Sequence, residues 1–306
     1  MVVLVASLGA SQDAATTTDP AKAVIVTSDI PNFWRAFDDA SRAATQKERV
    51  EVFKREYFLP GSDGLWGFIG GRIVSPSHLA KTADEHRAEY ERVRAASLTI
   101  PSQVPLIVAD FRRLKAFYPG AVFPNIYFVV GALNSGGTTV DGVGDIIGVD
   151  VPLASGSRTV APTVAHETIH YNQHDADQQT LLDSTIYEGT ADFLGDLSDG
   201  GVTTAETWSF GCSHENALWD LFEKQAGAKD DGTINSWLFS DKAPLGAPPF
   251  IGYWIGYRVV QTYYENAPDK SAAIVQILHI RNFQTFLDAA GYPKKKPPCV
   301  RIPRWR

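Results

Sequence analysis

Apolar residues recur at helical spacing through most of this chain. In SDIPNFWRAFDDA, Phe33, Trp34 and Phe37 share a face and Pro31 suits a first helical turn. The charged stretch QKERVEVFKREYF keeps the period with Val50, Val52, Phe53 and Phe58, until Pro60, Gly61 and Gly64 break it. Further helices are expected over residues 76–96 and 106–117. At Ile126 the character changes. IYFVVG is β-branched and aromatic, lies between Pro124 and the loop opened by Gly131, and reads as a strand. A Gly- and Thr-rich loop, NSGGTTVDGVG, leads to DIIGVD, a second short strand, so a hairpin or two neighbouring strands are expected. Ser157-Arg158-Thr159 then reads as a helix start. Helical pattern resumes over 180–197, 214–225, 253–266, 270–279 and 282–290. The fold class is therefore α+β and mostly helical.

Composition narrows the function. The chain has 306 residues, 44% of them hydrophobic, with 28 Lys and Arg against 35 Asp and Glu, a net charge of −7. Such a chain can bury a sizeable core, and it lacks the basic footprint of a nucleic-acid binder. No internal stretch approaches the ~20 apolar residues of a membrane span. Residues 1–20 include VVLVASLGA followed by SQDAATTTDP, which has the form of a signal-peptide core without its basic start; a frayed N-terminus is the alternative. Export is expected, with a cytoplasmic location left open. Residues 21–292 are expected to form one domain, and residues 293–306 a basic, Pro-rich tail, solvated and loosely packed. Cys212 and Cys299 pair only if the compartment is oxidising and the fold brings them together.

Residues 166–170 read His-Glu-Thr-Ile-His. A four-residue step turns an α-helix by about 40° and rises about 6 Å, so both imidazoles lie on one face and reach one ion. Glu167 lies beside them, about 100° round from His166, where a carboxylate can touch a water without ligating the metal. A catalytic zinc site needs three protein ligands and an open position. Glu188, in Glu-Gly-Thr-Ala-Asp, is spaced so that a second helix can return it to the ion. Asp192, one turn on, is placed to accept from the outer nitrogen of a ligating His. Gly189 and Ala191 allow the two helices to approach closely.

HETIH with a following EGTAD resembles the gluzincin arrangement of metallopeptidases. SDIPNFWRAFDDA, FPNIYFVVGALNSGGT with DIIGVD, AHETIHYNQ, YEGTADFLGDL and GYWIGYRVVQTYYE more closely resemble the predicted zinc-dependent proteases related to the bacterial gliding-motility lipoprotein B, over residues 28–292. That resemblance implies a zincin-like domain with an active-site helix, a second ligand-bearing helix and a small sheet at its edge. It also implies Zn²⁺ as cofactor and a peptide or protein as substrate.

Other candidates are weaker. His174 is two turns from His166, too far along a straight helix to share an ion, and position 176 is Ala where a metzincin has a third His. Asp175 and Asp177 read as loop residues. His78, His86 and His279 read as surface or capping groups, and His214 as a helix-opening residue. In GYWIGY, Tyr253 or Tyr257 could steady an oxyanion, with Tyr253 preferred; aromatic packing is the plainer account. The strand at 126–130, or its partner at 146–149, is expected above the site helix with a free edge for an extended peptide. These residues together read as a zinc hydrolase of peptide bonds with Glu167 as base. The alternatives are an exported, non-catalytic zinc-fold scaffold and a zinc amidase or esterase acting on a non-peptide substrate.

Overall fold

The computed structural model describes residues 16–157, 159–174, 176–240 and 242–305, and these are mostly helical with one four-stranded sheet, an α+β arrangement. The signal-like residues 2–10, Arg158 and Asp175 lie outside the described residues. Two compact units emerge: residues 16–99 with 123–157, and residues 100–122 with 159–305. Among the described residues no helix is long and apolar enough to cross a membrane.

In the first unit, α1 (Asp29–Ala40) buries Phe33, Trp34 and Phe37 as their spacing predicts, and Trp34 Nε1 donates to Ser97 Oγ at 2.8 Å. A capping box of Thr45 and Glu48 opens α2 (Gln46–Phe53), which runs on as a π-helical turn. Where Pro60 to Gly64 predict a break, a short helix α3 (Asp63–Phe68) follows, capped by Ser62. The expected helix over 76–96 is two helices, α4 (Pro76–Glu85) and α5 (Arg87–Ser97), because His86 leaves helical geometry at φ −110° and ψ 27°. The helix α6 (Val104–Phe117) belongs to the second unit.

The sheet has strands β1 (Ile25–Val26), β2 (Ile126–Val129), β3 (Thr138–Val140) and β4 (Gly144–Gly148), in the order β1-β2-β4-β3. The two strands read from sequence are neighbours, but they run parallel, with Ile126 beside Asp145 and Val129 beside Gly148. The hairpin is instead β3 with β4, formed inside the Gly- and Thr-rich segment. Every residue of β2 and β4 is buried, as parallel strands require. Both are inner strands, so the expected free edge for a substrate is not theirs.

The chain leaving β2 is fixed by buried polar groups. Tyr57 Oη donates to Val130 O (2.8 Å) and accepts from Val130 N (3.0 Å), and Tyr90 Oη donates to Gly131 O (2.8 Å). Asp150, at the start of α7 (Asp150–Ala154), accepts from Gly131 N (2.6 Å) and Leu133 N (2.7 Å). Burial raises the Asp150 carboxyl to about 6, against the opposing pull of those two N–H groups. A group with a raised folded pKa gives its full stabilisation below its unfolded pKa, and loses it as pH climbs through the folded value. The stability of wild type relative to Asp150→Asn is thus expected to fall between roughly pH 4 and 6 and to level off above about 7. Urea unfolding of both proteins across that range measures it; a flat difference would count against it.

The second unit is helical: α6, α8 (Ala161–Asn172), α9 (Leu181–Ser198), α10 (Ala205–Phe222), α11 (Asp231–Leu238), α12 (Ile251–Asn266), α13 (Lys270–Ile277) and α14 (Phe283–Ala290). Thr180 and Asp183 form the capping box that starts α9. The helix expected from His214 starts earlier, at the Thr204 cap, so His214 sits in mid-helix rather than opening it. From Gly189 to Ser198 every residue of α9 is buried, and the helix packs against α6, α8 and α12.

The basic tail is no loose end. Cys212 and Cys299 form a disulfide. Pro297 O accepts from the fully buried Arg258 (2.6 Å), which pairs with Glu215 (2.9 Å). Gln261 Nε2 donates to Val300 O at 2.8 Å, Arg301 to Thr203 O at 2.6 Å, and Trp305 N to Leu197 O at 2.7 Å. The polar atoms inside the unit need partners, and the tail's backbone supplies them.

Candidate metal centre

His166 and His170 lie one turn apart on α8, and α9 carries Glu188 against them. The Nε2 atoms of the two His are 3.0 Å apart. Glu188 Oε2 lies 3.1 Å from His170 Nε2 and 3.3 Å from His166 Nε2. Ligands at 2.0–2.1 Å from a tetrahedral zinc stand about 3.3–3.4 Å from one another. The three atoms thus have the size of one face of such a site, and the group could hold a metal ion.

The outer nitrogens decide which lone pairs point inward. His166 Nδ1 is 2.8 Å from Asp192 Oδ1, and an ionised carboxylate only accepts, so Nδ1 carries the proton. Asp192 is itself held by Thr203, whose hydroxyl donates to Oδ2 at 3.3 Å. Gln173 Nε2 donates to Tyr187 O (3.1 Å), which turns Gln173 Oε1 to His170 Nδ1 at 2.6 Å. Both imidazoles therefore direct an unprotonated Nε2 at the same point as a carboxylate oxygen. Three acceptors facing one another are stable only around a cation or a shared proton.

Electrostatics agree. Burial disfavours an imidazolium at His166, but Asp192 and Glu188 outweigh it and raise its proton affinity well above the usual value. Burial likewise opposes ionisation of Glu188, yet His170 and His166 hold its carboxyl far below the usual range. The site attracts positive charge.

Each imidazole is also braced by a tyrosine. Tyr187 stacks on His170 with centroids 4.6 Å apart and planes at 15°, and Tyr253 lies parallel to His166 at 5.9 Å and 8°. Tyr253 comes from α12, and the charge of Glu188 is felt at its phenol. Burial first, then Glu188, Asp192 and Glu167, raise its phenol well above the usual value, so the O–H keeps its proton at neutral pH. Glu167 is half-buried outside the three-ligand group, and its charge is felt at both His170 and Tyr253.

Close packing makes this convergence possible. A Cβ on Gly256 would stand 1.8 Å from Thr185 O, and one on Gly189 would stand 2.2 Å from Gly256 C. The two glycines let α9 and α12 touch backbone to backbone, and α12 carries Tyr253 to the ring of His166. Gly189 thus serves the α12 contact, whereas Gly195 is the glycine that lies beside α8, near His166 N.

The structure brings together His166, Glu167, His170, Glu188, Asp192 and Tyr253. Tyr257 faces elsewhere, toward Asp196 and Ile302 N of the tail. His174 is exposed past the end of α8 and its ring neighbours His279 at 5.0 Å. Gln173 and Tyr187 were not singled out from sequence. Their only signal was position, three residues after His170 and one before Glu188.

A family model described as "Predicted Zn-dependent protease (DUF2268)" matches residues 130–281, a little under half of the chain. The matched segment contains all six residues of the centre. This supports a zinc protease at the level of the family. No curated protein and no solved structure matches the chain.

Proposed function

We propose that this chain is a zinc metallopeptidase of gluzincin type, with His166, His170 and Glu188 as the ligands. The supporting observation is the trio of inward-facing acceptor atoms 3.0–3.3 Å apart, with a further carboxylate, Glu167, beside rather than within it. Zinc held there supplies a Lewis acid that polarises a carbonyl and lowers the pKa of water toward ~7. Glu167 takes a proton from the attacking water onto its carboxylate and hands it to the leaving nitrogen. Tyr253 donates its phenolic hydrogen to the oxygen that gains charge at the substrate carbonyl. Asp192 and Gln173 hold the Nδ1 protons of the two His, and so fix which nitrogen faces the ion. The substrate is a peptide or protein, and the Cys212–Cys299 disulfide supports an exported, oxidising location.

The ligand set is tested by Glu188→Ala. Wild type is expected to retain about one zinc per chain after dialysis. The variant should bind zinc more than about 100-fold more weakly, beyond the loss expected from removing a merely supporting group. Unchanged zinc by elemental analysis would send the search to another ligand.

A further inference from the structure

Large apolar side chains in the second unit are mostly buried, yet two phenylalanines stand out of the core beside the metal centre. Phe239 and Phe250 are 52% and 47% exposed. Both rings meet Tyr253 edge-on. The Phe250 centroid is 5.4 Å away at 67°, and that of Phe239 is 6.2 Å away at 82°. Tyr253 in turn lies parallel to the ring of His166 at 5.9 Å. An aromatic surface thus runs unbroken from a candidate ligand outward to the two phenylalanines.

The segment around them is built to present rather than to bury. Ala243, Ala247 and Ile251 point into the core at 6%, 4% and 0% exposure, while Leu245 and Phe250 stand out. Phe250, the N-cap of α12, has φ 65°, and Leu245 has φ 58°. Bulky side chains rarely adopt such left-handed backbone, and where they do the site is often one that binds or reacts. At Phe250 this conformation sets the direction of the ring, and Tyr253 N ties the turn down by donating to Phe250 O at 3.0 Å. Two alanines are buried here while Leu245 and Phe250 stay outside, which marks a contact surface rather than a core.

We propose that Phe239 and Phe250 form a substrate subsite that takes a large apolar side chain, aromatic or branched aliphatic, next to the peptide bond held at the metal centre. This rests on the peptidase reading above. Successive residues of an extended peptide advance about 3.3 Å. The two phenylalanine rings stand at most about 12 Å from the His166 ring, so they face the stretch of peptide within about three residues of that bond, of which the flanking residue is the nearest. Edge-on rings with exposed faces suit an apolar or aromatic partner and offer nothing to a carboxylate.

Calorimetric binding to the zinc-loaded Glu167→Gln protein reads the subsite without turnover. Four peptides would differ at one position only, with Phe, Leu, Ala or Asp beside the intended scissile bond. The Phe and Leu peptides are expected to bind about 10–100-fold tighter than the Ala peptide, and the Asp peptide no tighter than Ala. Adding Phe239→Ala and Phe250→Ala should shrink that advantage to within about threefold. Both rings are exposed, so zinc content and Tm should hold, and Phe239→Leu with Phe250→Leu should restore much of the preference. Equal affinities for all four peptides, or an advantage that survives the double alanine variant, would overturn the subsite. Cleavage by wild type separates the two readings. Preferential binding with no cleavage removes the peptidase and leaves the subsite; cleavage with no preference does the reverse.

Discussion

Glu167→Gln is expected to lower kcat on a peptide substrate by about three to four orders of magnitude, on the order of 4–5.5 kcal/mol in the barrier. The substitution keeps the size of the side chain and its place on α8, and removes only the ability to take a proton. Glu167 lies outside the three-atom group that could hold a metal, so zinc content should not change. KM should also move little, because the interaction lost is one made in the transition state. Zinc analysis and initial rates on the same preparation measure both halves. Wild-type turnover in the variant would sink the base assignment, and loss of zinc would make Glu167 a ligand instead. Loss of the Glu167 charge also removes one of the influences that raise the Tyr253 phenol, but burial and two other carboxylates remain, so its O–H stays protonated.

Gly256→Ala is the second large effect, and its sign is informative. In an open helix the exchange would stabilise by roughly 1 kcal/mol, since Ala has the higher helix propensity. Here the new Cβ would stand 1.8 Å from Thr185 O, a backbone atom that cannot swing aside. The helices α9 and α12 must part, at a cost of about 3 kcal/mol or more. A fall in Tm on the order of 6–12 °C is expected. The proposed ligands come from α8 and α9 and the proposed oxyanion donor, Tyr253, from α12, so zinc binding should survive the separation better than turnover. A Tm at or above the wild-type value would show that the two helices are not in backbone contact.

Local chemistry made the centre legible. The HETIH spacing fixes one face of one helix, and the seventeen residues between His170 and Glu188 leave room for a turn into the next, so Glu188 and Asp192 could be aimed from sequence. The amphipathic helix α1 and the long, largely buried α12 were equally readable. What escaped depends on contacts distant along the chain. The six- and five-residue helices α3 and α7 are too brief to carry a reliable period. The start of α10 at AETWSFGC shows no clean apolar stripe, because its residues split between core, solvent and a disulfide. The Gly- and Thr-rich segment reads as loop, yet β3 forms there because β4 lies alongside to accept it. Gln173 could not be chosen from sequence as a partner of His170, since Tyr187 O on the next helix is what orients its amide. The role of Gly189 was read correctly as close approach but assigned to the wrong neighbour, because nothing in the residues near it says which helix arrives.

The bond between Cys212 and Cys299 joins residues 87 apart, closing α11 to α14 into a covalent ring. His166, His170 and Glu188 lie before the ring, while Tyr253, Phe239 and Phe250 lie inside it. A protease that cut its own exposed segment around Phe250 would therefore not come apart. The piece bearing Tyr253 would stay tethered through sulfur to the piece bearing the ligands, and the two would separate only under reduction. The ring thus gives the molecule tolerance to nicking at the proposed subsite.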